Sequence, residues 1–76
     1  MRLDKLSKII YEEGTASANR KITVKNQQNH ILWEGKAKDL ITYADGTNWL
    51  VLEVLVDLGT SNDVVDYNRG KIIIVY

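Results

Sequence analysis

Cysteine is absent from this sequence of 76 residues, and histidine occurs once, at position 30. Without thiols the chain cannot form disulfides, and a zinc site is not expected, because such sites are built mainly from thiolates and imidazoles. The missing cysteine also agrees with a reducing compartment. A chain of this length supports one hydrophobic core, so we predict a single domain over 1–76. Its stability must then come from close packing or from association with another chain.

Long apolar runs and catalytic motifs are also missing. The first residues include Arg2, Asp4 and Lys5, where a signal peptide would need an uninterrupted apolar stretch. No apolar run reaches the roughly 20 residues that span a membrane, so we expect a soluble, cytoplasmic protein. No glycine-rich phosphate loop, dinucleotide fingerprint or nucleophile elbow occurs. We therefore expect neither an enzyme nor a cofactor.

The charged residues are present in equal numbers but are unevenly distributed. The formal net charge is zero, yet eight basic and four acidic residues occur through Lys38, which makes that part +4 and the remainder −4. Between Asp39 and Asp66 there are six acidic residues and no lysine or arginine. Such a separation of charge indicates contact surfaces more readily than a catalytic pocket.

The first half of the sequence predicts a helix and a hairpin. Leu3, Leu6, Ile9 and Ile10 fall on one stripe of a helix over about 2–13. Apolar and polar residues then alternate in Lys21–Lys25, and a second strand begins at His30 after the polar segment Asn-Gln-Gln-Asn. This pattern predicts a β-hairpin over 20–36.

The second half predicts two further strands. In residues 36–47 two signals compete: Ala37, Leu40, Ile41 and Ala44 suit a helical turn, whereas Asp45-Gly46 is a strong turn signal. We expect a loop with at most one short helical turn. Residues 49–57 predict a strand with Leu50, Leu52, Val54 and Val56 on one face. The aliphatic run 71–76 should pair in the centre of a sheet or with another copy, since an exposed edge of this kind promotes aggregation. The expected class is α+β, a short N-terminal helix packed on an antiparallel sheet of about four strands.

Two charged surfaces are candidates for binding. A basic and aromatic surface on the first hairpin could contact nucleic acid. On a strand, however, Trp33 shares its face with Ile31, and this favours packing of Trp33 against the helix. An acidic surface could dock on a basic groove of a nucleic-acid-binding protein, or on the basic surface of a second copy. The basic candidates are Arg20, Lys21, Lys25, Trp33, Lys36 and Lys38, and the acidic candidates are Glu53, Asp57, Asp63 and Asp66.

Metal and acid–base chemistry have weaker candidates. Asp57, Asp63 and Asp66 flank one loop and could approach a divalent cation, but their spacing matches no calcium-binding loop. His30 has no nucleophile or carboxylate placed beside it by any motif, and it is interpreted as a surface residue.

The segment after the first hairpin carries a resemblance to a known group. With Gly35, Ala37, Asp39 and Leu40 it resembles small uncharacterised proteins encoded by phages and mobile elements of Gram-positive bacteria. Those proteins have a leading helix, a hairpin followed by G-x-A-x-D-L, and an aliphatic closing strand. The resemblance implies an accessory or regulatory binding protein in a bacterial cytoplasm, without assigned catalytic residues. We thus expect a non-catalytic protein that acts by protein contact as a homodimer, with a small nucleic-acid-binding module as the alternative.

Overall fold

The computed structural model describes residues 1–12, 19–57 and 70–76. The predicted α+β class is confirmed, as are the N-terminal helix, the first hairpin and the two later strands, with bounds shifted by one or two residues. Within the described ranges no helix combines the length and the apolar character needed to cross a membrane. The elements are α1 (Leu3–Glu12), β1 (Lys21–Lys25), β2 (Ile31–Lys36), α2 (Ala37–Ala44), β3 (Val51–Asp57) and β4 (Gly70–Val75).

The four strands form one mixed sheet in the order β2-β1-β4-β3. β1 pairs with β2, and β3 with β4, in antiparallel fashion, whereas the central strands β1 and β4 are parallel. The prediction of an antiparallel sheet is therefore wrong at its centre. A parallel pair needs a long crossover connection, usually with a helix, and α2 lies in that connection. The aliphatic strand β4 does pair centrally, as its composition predicted.

The helix α2 replaces the loop that was predicted over 36–47. Its buried residues, Ala37, Leu40 and Ala44, are three and four positions apart and form one apolar stripe. The start of α2 lacks the serine, threonine, asparagine or aspartate that usually marks an N-cap. Lys36 occupies this position and makes no side-chain capping bond. The turn signal was interpreted correctly, since Gly46 follows the helix with φ of +80°. An isolated helix of eight residues is not stable in water, so α2 depends on tertiary packing. The apolar stripe alone therefore did not decide between a helix and a loop.

α1 buries a stripe that differs slightly from the predicted one. Leu3 and Ile10 are fully buried and Leu6 packs partly against the core, but Ile9 is 40% exposed. Ser7 takes a buried place on the stripe, and its hydroxyl donates to the carbonyl oxygen of Asp4 at 2.6 Å. This bond satisfies the hydroxyl and allows a polar residue within the core.

Both helices contribute to a core on the same face of the sheet, here named the helix face. Ile22 and Val24 of β1 and Ile73 and Val75 of β4 are fully buried there. The opposite face of the sheet, on which Thr23 and its neighbours lie, is named the open face. α2 packs on α1 and on the β1–β2 hairpin.

A β-bulge in β2 changes which residues share a face. Val24 pairs with Trp33 and Lys25 pairs with Ile31, so Leu32 is the additional residue. Trp33 therefore lies on the helix face and Ile31 on the open face, where it is 58% exposed. The prediction that they share a face is wrong, although Trp33 does pack against a helix. That helix is α2, through stacking on Tyr43.

A second bulge lies near the start of β3. Val51 pairs with Val75 and Glu53 pairs with Ile74, which leaves Leu52 as the additional residue. Val51 and Val54 consequently lie on the helix face, and Glu53 and Leu55 on the open face. The predicted grouping of Leu50, Leu52, Val54 and Val56 on a single face is wrong for the same reason: strict alternation does not continue through a bulge.

Candidate contact surfaces

β3 forms one border of the sheet and carries an exposed group of apolar side chains. Leu52, Val54, Leu55 and Val56 are 51%, 43%, 41% and 59% exposed, respectively. Val54 and Val56 lie on the helix face and Leu55 on the open face. Edge strands are usually protected by lysine, proline or very short length, yet β3 has seven residues and neither lysine nor proline. The strand thus presents apolar surface on both sides of the sheet.

The backbone of β3 offers unpaired hydrogen-bonding groups along the same stretch. Leu50 and Tyr76 exchange two backbone hydrogen bonds, at 3.1 and 2.9 Å. Bonded and non-bonded pairs alternate in an antiparallel ladder, so the register of β4 directs the N–H and C=O groups of Val54 and Val56 away from β4. Within the described ranges no strand pairs with this side. We name this outward side of β3, from Leu52 to Asp57, the β3 edge.

The beginning of β3 is covered by the N-terminal residues. The Val51 N–H donates to the carbonyl oxygen of Met1 at 2.8 Å, and the Leu3 N–H donates to that of Trp49 at 2.9 Å. These bonds take up the carbonyl oxygen of Trp49 and the N–H of Val51. The β3 edge therefore begins only after Val51.

Of the four predicted acidic residues, one is described with its side chain. Glu53 is exposed on the open face beside Ile74, and it forms no ion pair within the described part of the chain. The backbone of Asp57 pairs with Gly70 at the end of β3. Asp63 and Asp66 lie outside the described residues. The acidic surface is thus represented in the structure by Glu53 on the β3 edge.

The predicted basic surface is divided between the two faces of the sheet. Lys21, Lys25 and Lys36 lie on the open face, where Lys21 pairs directly with Lys36. The Nζ of Lys21 is 3.4 Å from Oε1 of Glu34. Trp33 lies on the opposite face, so the aromatic ring does not join these lysines.

The remaining two basic candidates lie apart from this group. Arg20 precedes β1, and its carbonyl oxygen accepts a hydrogen bond from the Ala37 N–H at 2.9 Å. Lys38 is exposed on α2, which packs on the helix face. The six candidates therefore do not form one continuous surface, although three lysines remain together on the open face.

A depression at one end of the sheet was not predicted from the sequence. It has a volume of about 370 Å³ and is lined by Thr47, Asn48, Trp49 and Tyr76. Nearby, Nη2 of Arg2 is 3.4 Å from the carbonyl oxygen of Thr47 and 3.4 Å from Oδ2 of Asp4. Residues distant in sequence meet here only because β4 ends beside Leu50, so no local motif could have indicated the depression.

His30 was predicted to begin the second strand but lies directly before β2, and it is exposed, as expected for a surface residue. Its backbone N–H donates to Oδ1 of Asn26 at 2.9 Å. Among the residues that the structure describes, no three histidine or acidic side chains are grouped closely enough to hold a metal ion. The proposed cation ligands Asp63 and Asp66 lie outside those residues.

We compared the chain with models of protein families, with curated proteins and with solved structures, and none of these comparisons gave a match. The function is therefore inferred from the geometry of the surfaces described above. Of these surfaces, the β3 edge combines apolar exposure, unpaired backbone groups and an acidic side chain.

Proposed function

We propose that this chain is a non-catalytic accessory protein that binds another protein through the β3 edge. The observation that carries the proposal is the exposure of Leu52, Val54, Leu55 and Val56 on a strand whose outward side pairs with no strand in the described part of the chain. Exposed apolar surface of this kind marks interaction sites. Strand addition to a sheet edge is a common way of recognising an extended segment.

The biological context of the proposal comes from the sequence. The resemblance around Gly35, Ala37, Asp39 and Leu40 supports a protein of the phage or mobile-element type, acting in a bacterial cytoplasm. The homodimer expected from the sequence belongs to the same proposal, since a second copy is one partner that could add a strand to β3. The β3 edge supplies the contact surface in either case.

The proposal is tested by replacing one exposed residue on each border of the sheet. Val56→Gln removes apolar surface from the β3 edge, and Ile31→Gln does the same on β2. The two side chains are 59% and 58% exposed, so the variants are closely matched. We expect Val56→Gln to weaken binding roughly tenfold, the effect of about 1.4 kcal/mol, and Ile31→Gln to leave it unchanged.

Binding is measured by quantitative affinity capture from the native host and by sedimentation velocity of the purified protein. A captured protein, or a dimer, that is lost with Val56→Gln and retained with Ile31→Gln supports the proposal. Equal binding by both variants contradicts it, as does the absence of any partner in both measurements. Circular dichroism of each variant verifies that the fold is retained.

Nucleic-acid binding is a second candidate, favoured by the grouping of Lys21, Lys25 and Lys36 on the open face. Because Trp33 lies on the other face, such binding would rest on phosphate contacts and not on base stacking with this ring. It should weaken steeply with salt. Titration with labelled DNA and RNA at low and moderate salt tests this candidate. Lack of binding at low salt, or binding unchanged by Lys25→Glu, contradicts it.

A further inference from the structure

The backbone of the β3 edge defines how a strand can be added. Within the described stretch Leu52–Asp57, Val54 and Val56 are the positions that direct both backbone groups outward, so an added antiparallel strand bonds to these two positions. Its residues opposite Val54 and Val56 then lie on the helix face. The residues opposite Glu53 and Leu55 lie on the open face, because directly opposed residues share a face of the sheet.

A second copy satisfies either the hydrogen bonds or the charges of this edge. The register that uses both positions pairs Val54 with Val56 of the other copy and is centred on Leu55. It also places Glu53 opposite position 57, which is aspartate, on both sides of the two-fold axis. Like charges directly opposite each other destabilise a pair of strands. No lysine or arginine occurs between residues 39 and 68 to offset them.

The register centred on Val54 avoids this repulsion but loses hydrogen bonds. It places Val56 opposite Leu52 of the second copy, which is the additional residue of the bulge. A bulged residue leaves the regular ladder, so only the pair at Val54 remains. Within the described stretch Leu52–Asp57, strand pairing between two copies is therefore a poor match to the β3 edge in both of these registers.

We infer that the β3 edge recognises an extended segment of a different protein, one that places a basic residue opposite Glu53 and apolar residues opposite Val54 and Val56. This inference rests on the proposed function and names the chemistry of its partner. A basic side chain on the open face meets the exposed carboxylate of Glu53, which has no ion-pair partner in the described part of the chain. Opposite charges across neighbouring strands are stabilising.

The two faces of the added strand should differ in character. On the helix face, the residues opposite Val54 and Val56 meet two exposed valine side chains. Apolar residues fit that face better, because they cover Val54 and Val56. Read from its N-terminus, the segment has five residues that lie opposite positions 57 to 53 in turn. They are a basic residue, an apolar residue, a residue of any type, an apolar residue and a basic residue. The chain's own Lys-Ile-Thr-Val-Lys, residues 21–25, has this pattern and supplies a peptide probe.

The inference is tested by nuclear magnetic resonance with isotopically labelled full-length protein. One terminally blocked peptide contains Lys-Ile-Thr-Val-Lys, and its control contains Glu-Ile-Thr-Val-Glu. We expect the basic peptide to shift the backbone amide signals of Val54 and Val56 and to bind roughly three- to tenfold more tightly than the control, because attraction replaces repulsion opposite Glu53. In Glu53→Lys the preference should decrease or reverse, and Glu53→Gln should give an intermediate ratio.

Several results would overturn the inference. These are equal affinities for the two peptides, shifts confined to other elements, or a preference unchanged by both Glu53 variants. Concentration-dependent shifts of β3 in the protein alone, with a dimer in sedimentation, would make the second copy the occupant. That result would leave the proposed function intact. Likewise, failure of both peptides to bind, together with a captured protein that is sensitive to Val56→Gln, would reject only the basic segment.

Discussion

The indole of Trp33 occupies the space where a side chain at Gly35 would lie. A Cβ atom built on Gly35 would be 2.7 Å from Cζ2 of Trp33 and 2.9 Å from its Cη2. Both residues lie on the helix face of β2, two positions apart. The same indole stacks on Tyr43 of α2, with ring centroids 5.3 Å apart and planes inclined by 14°. The absence of a side chain at Gly35 thus allows the first hairpin to pack against α2.

Gly35→Ala should destabilise the fold by about 1–3 kcal/mol, the usual cost of forcing extra volume into a packed site. Urea unfolding followed by circular dichroism measures this cost. If the clash with the indole is the cause, the cost should fall clearly in a Trp33→Leu background. An equal cost in the two backgrounds would assign the effect to the strand backbone instead.

Tyr43→Leu should lower the free energy of unfolding by about 0.5–1.5 kcal/mol, because an aromatic pair contributes that much beyond its buried area. Tyr11→Leu is the matched control, since Tyr11 lies on α1 with 52% of its surface exposed. That change should remain within about 0.5 kcal/mol, as is usual for surface positions. Equal destabilisation by the two changes would show that the stack adds nothing.

Leu40→Ala should cost about 2–5 kcal/mol, as other deletions of a buried leucine side chain do. Leu40 is fully buried at the centre of α2, and a domain this small has a thin margin of stability. Lys38→Ala, at an exposed position of the same helix, should change stability little. Thermal and urea unfolding of the two variants test whether α2 is part of the core. A tolerated Leu40→Ala would argue against that packing.

Asn29 has a left-handed backbone with φ of 67°, and its N–H donates to the carbonyl oxygen of Asn26 at 3.0 Å. Asn29→Ala should destabilise the hairpin by about 1–2 kcal/mol, the cost of this conformation for residues with a Cβ. Asn29→Gly should be neutral or slightly stabilising, since glycine adopts the conformation readily. Comparison of the two unfolding midpoints measures the difference. Similar midpoints would indicate that the turn relaxes to another conformation.

The candidate sites were predictable only in part. Lys21, Lys25 and Lys36 share a face because they lie at strand positions that alternation identifies. The same alternation places Trp33 on the opposite face, whereas the bulge at Leu32, which carries no distinct sequence signal, moves Ile31 to the face of the lysines. Glu53 was among the acidic candidates named from the sequence. Its importance at the β3 edge depends, however, on β3 being the outermost strand, which no local pattern specifies.

By itself, the sequence determined the helix α1, the hairpin and the strand character of the aliphatic segment, because these follow from local periodicity, turn residues and β-branched composition. Tertiary structure alone decided that β1 and β4 are parallel, that Ala37–Ala44 is helical and that β3 lies at the border. These features depend on contacts between residues far apart in the chain, such as Val24 with Ile73 across the central strand pair. The exposed β3 edge, and with it the proposed contact surface, results from that long-range arrangement.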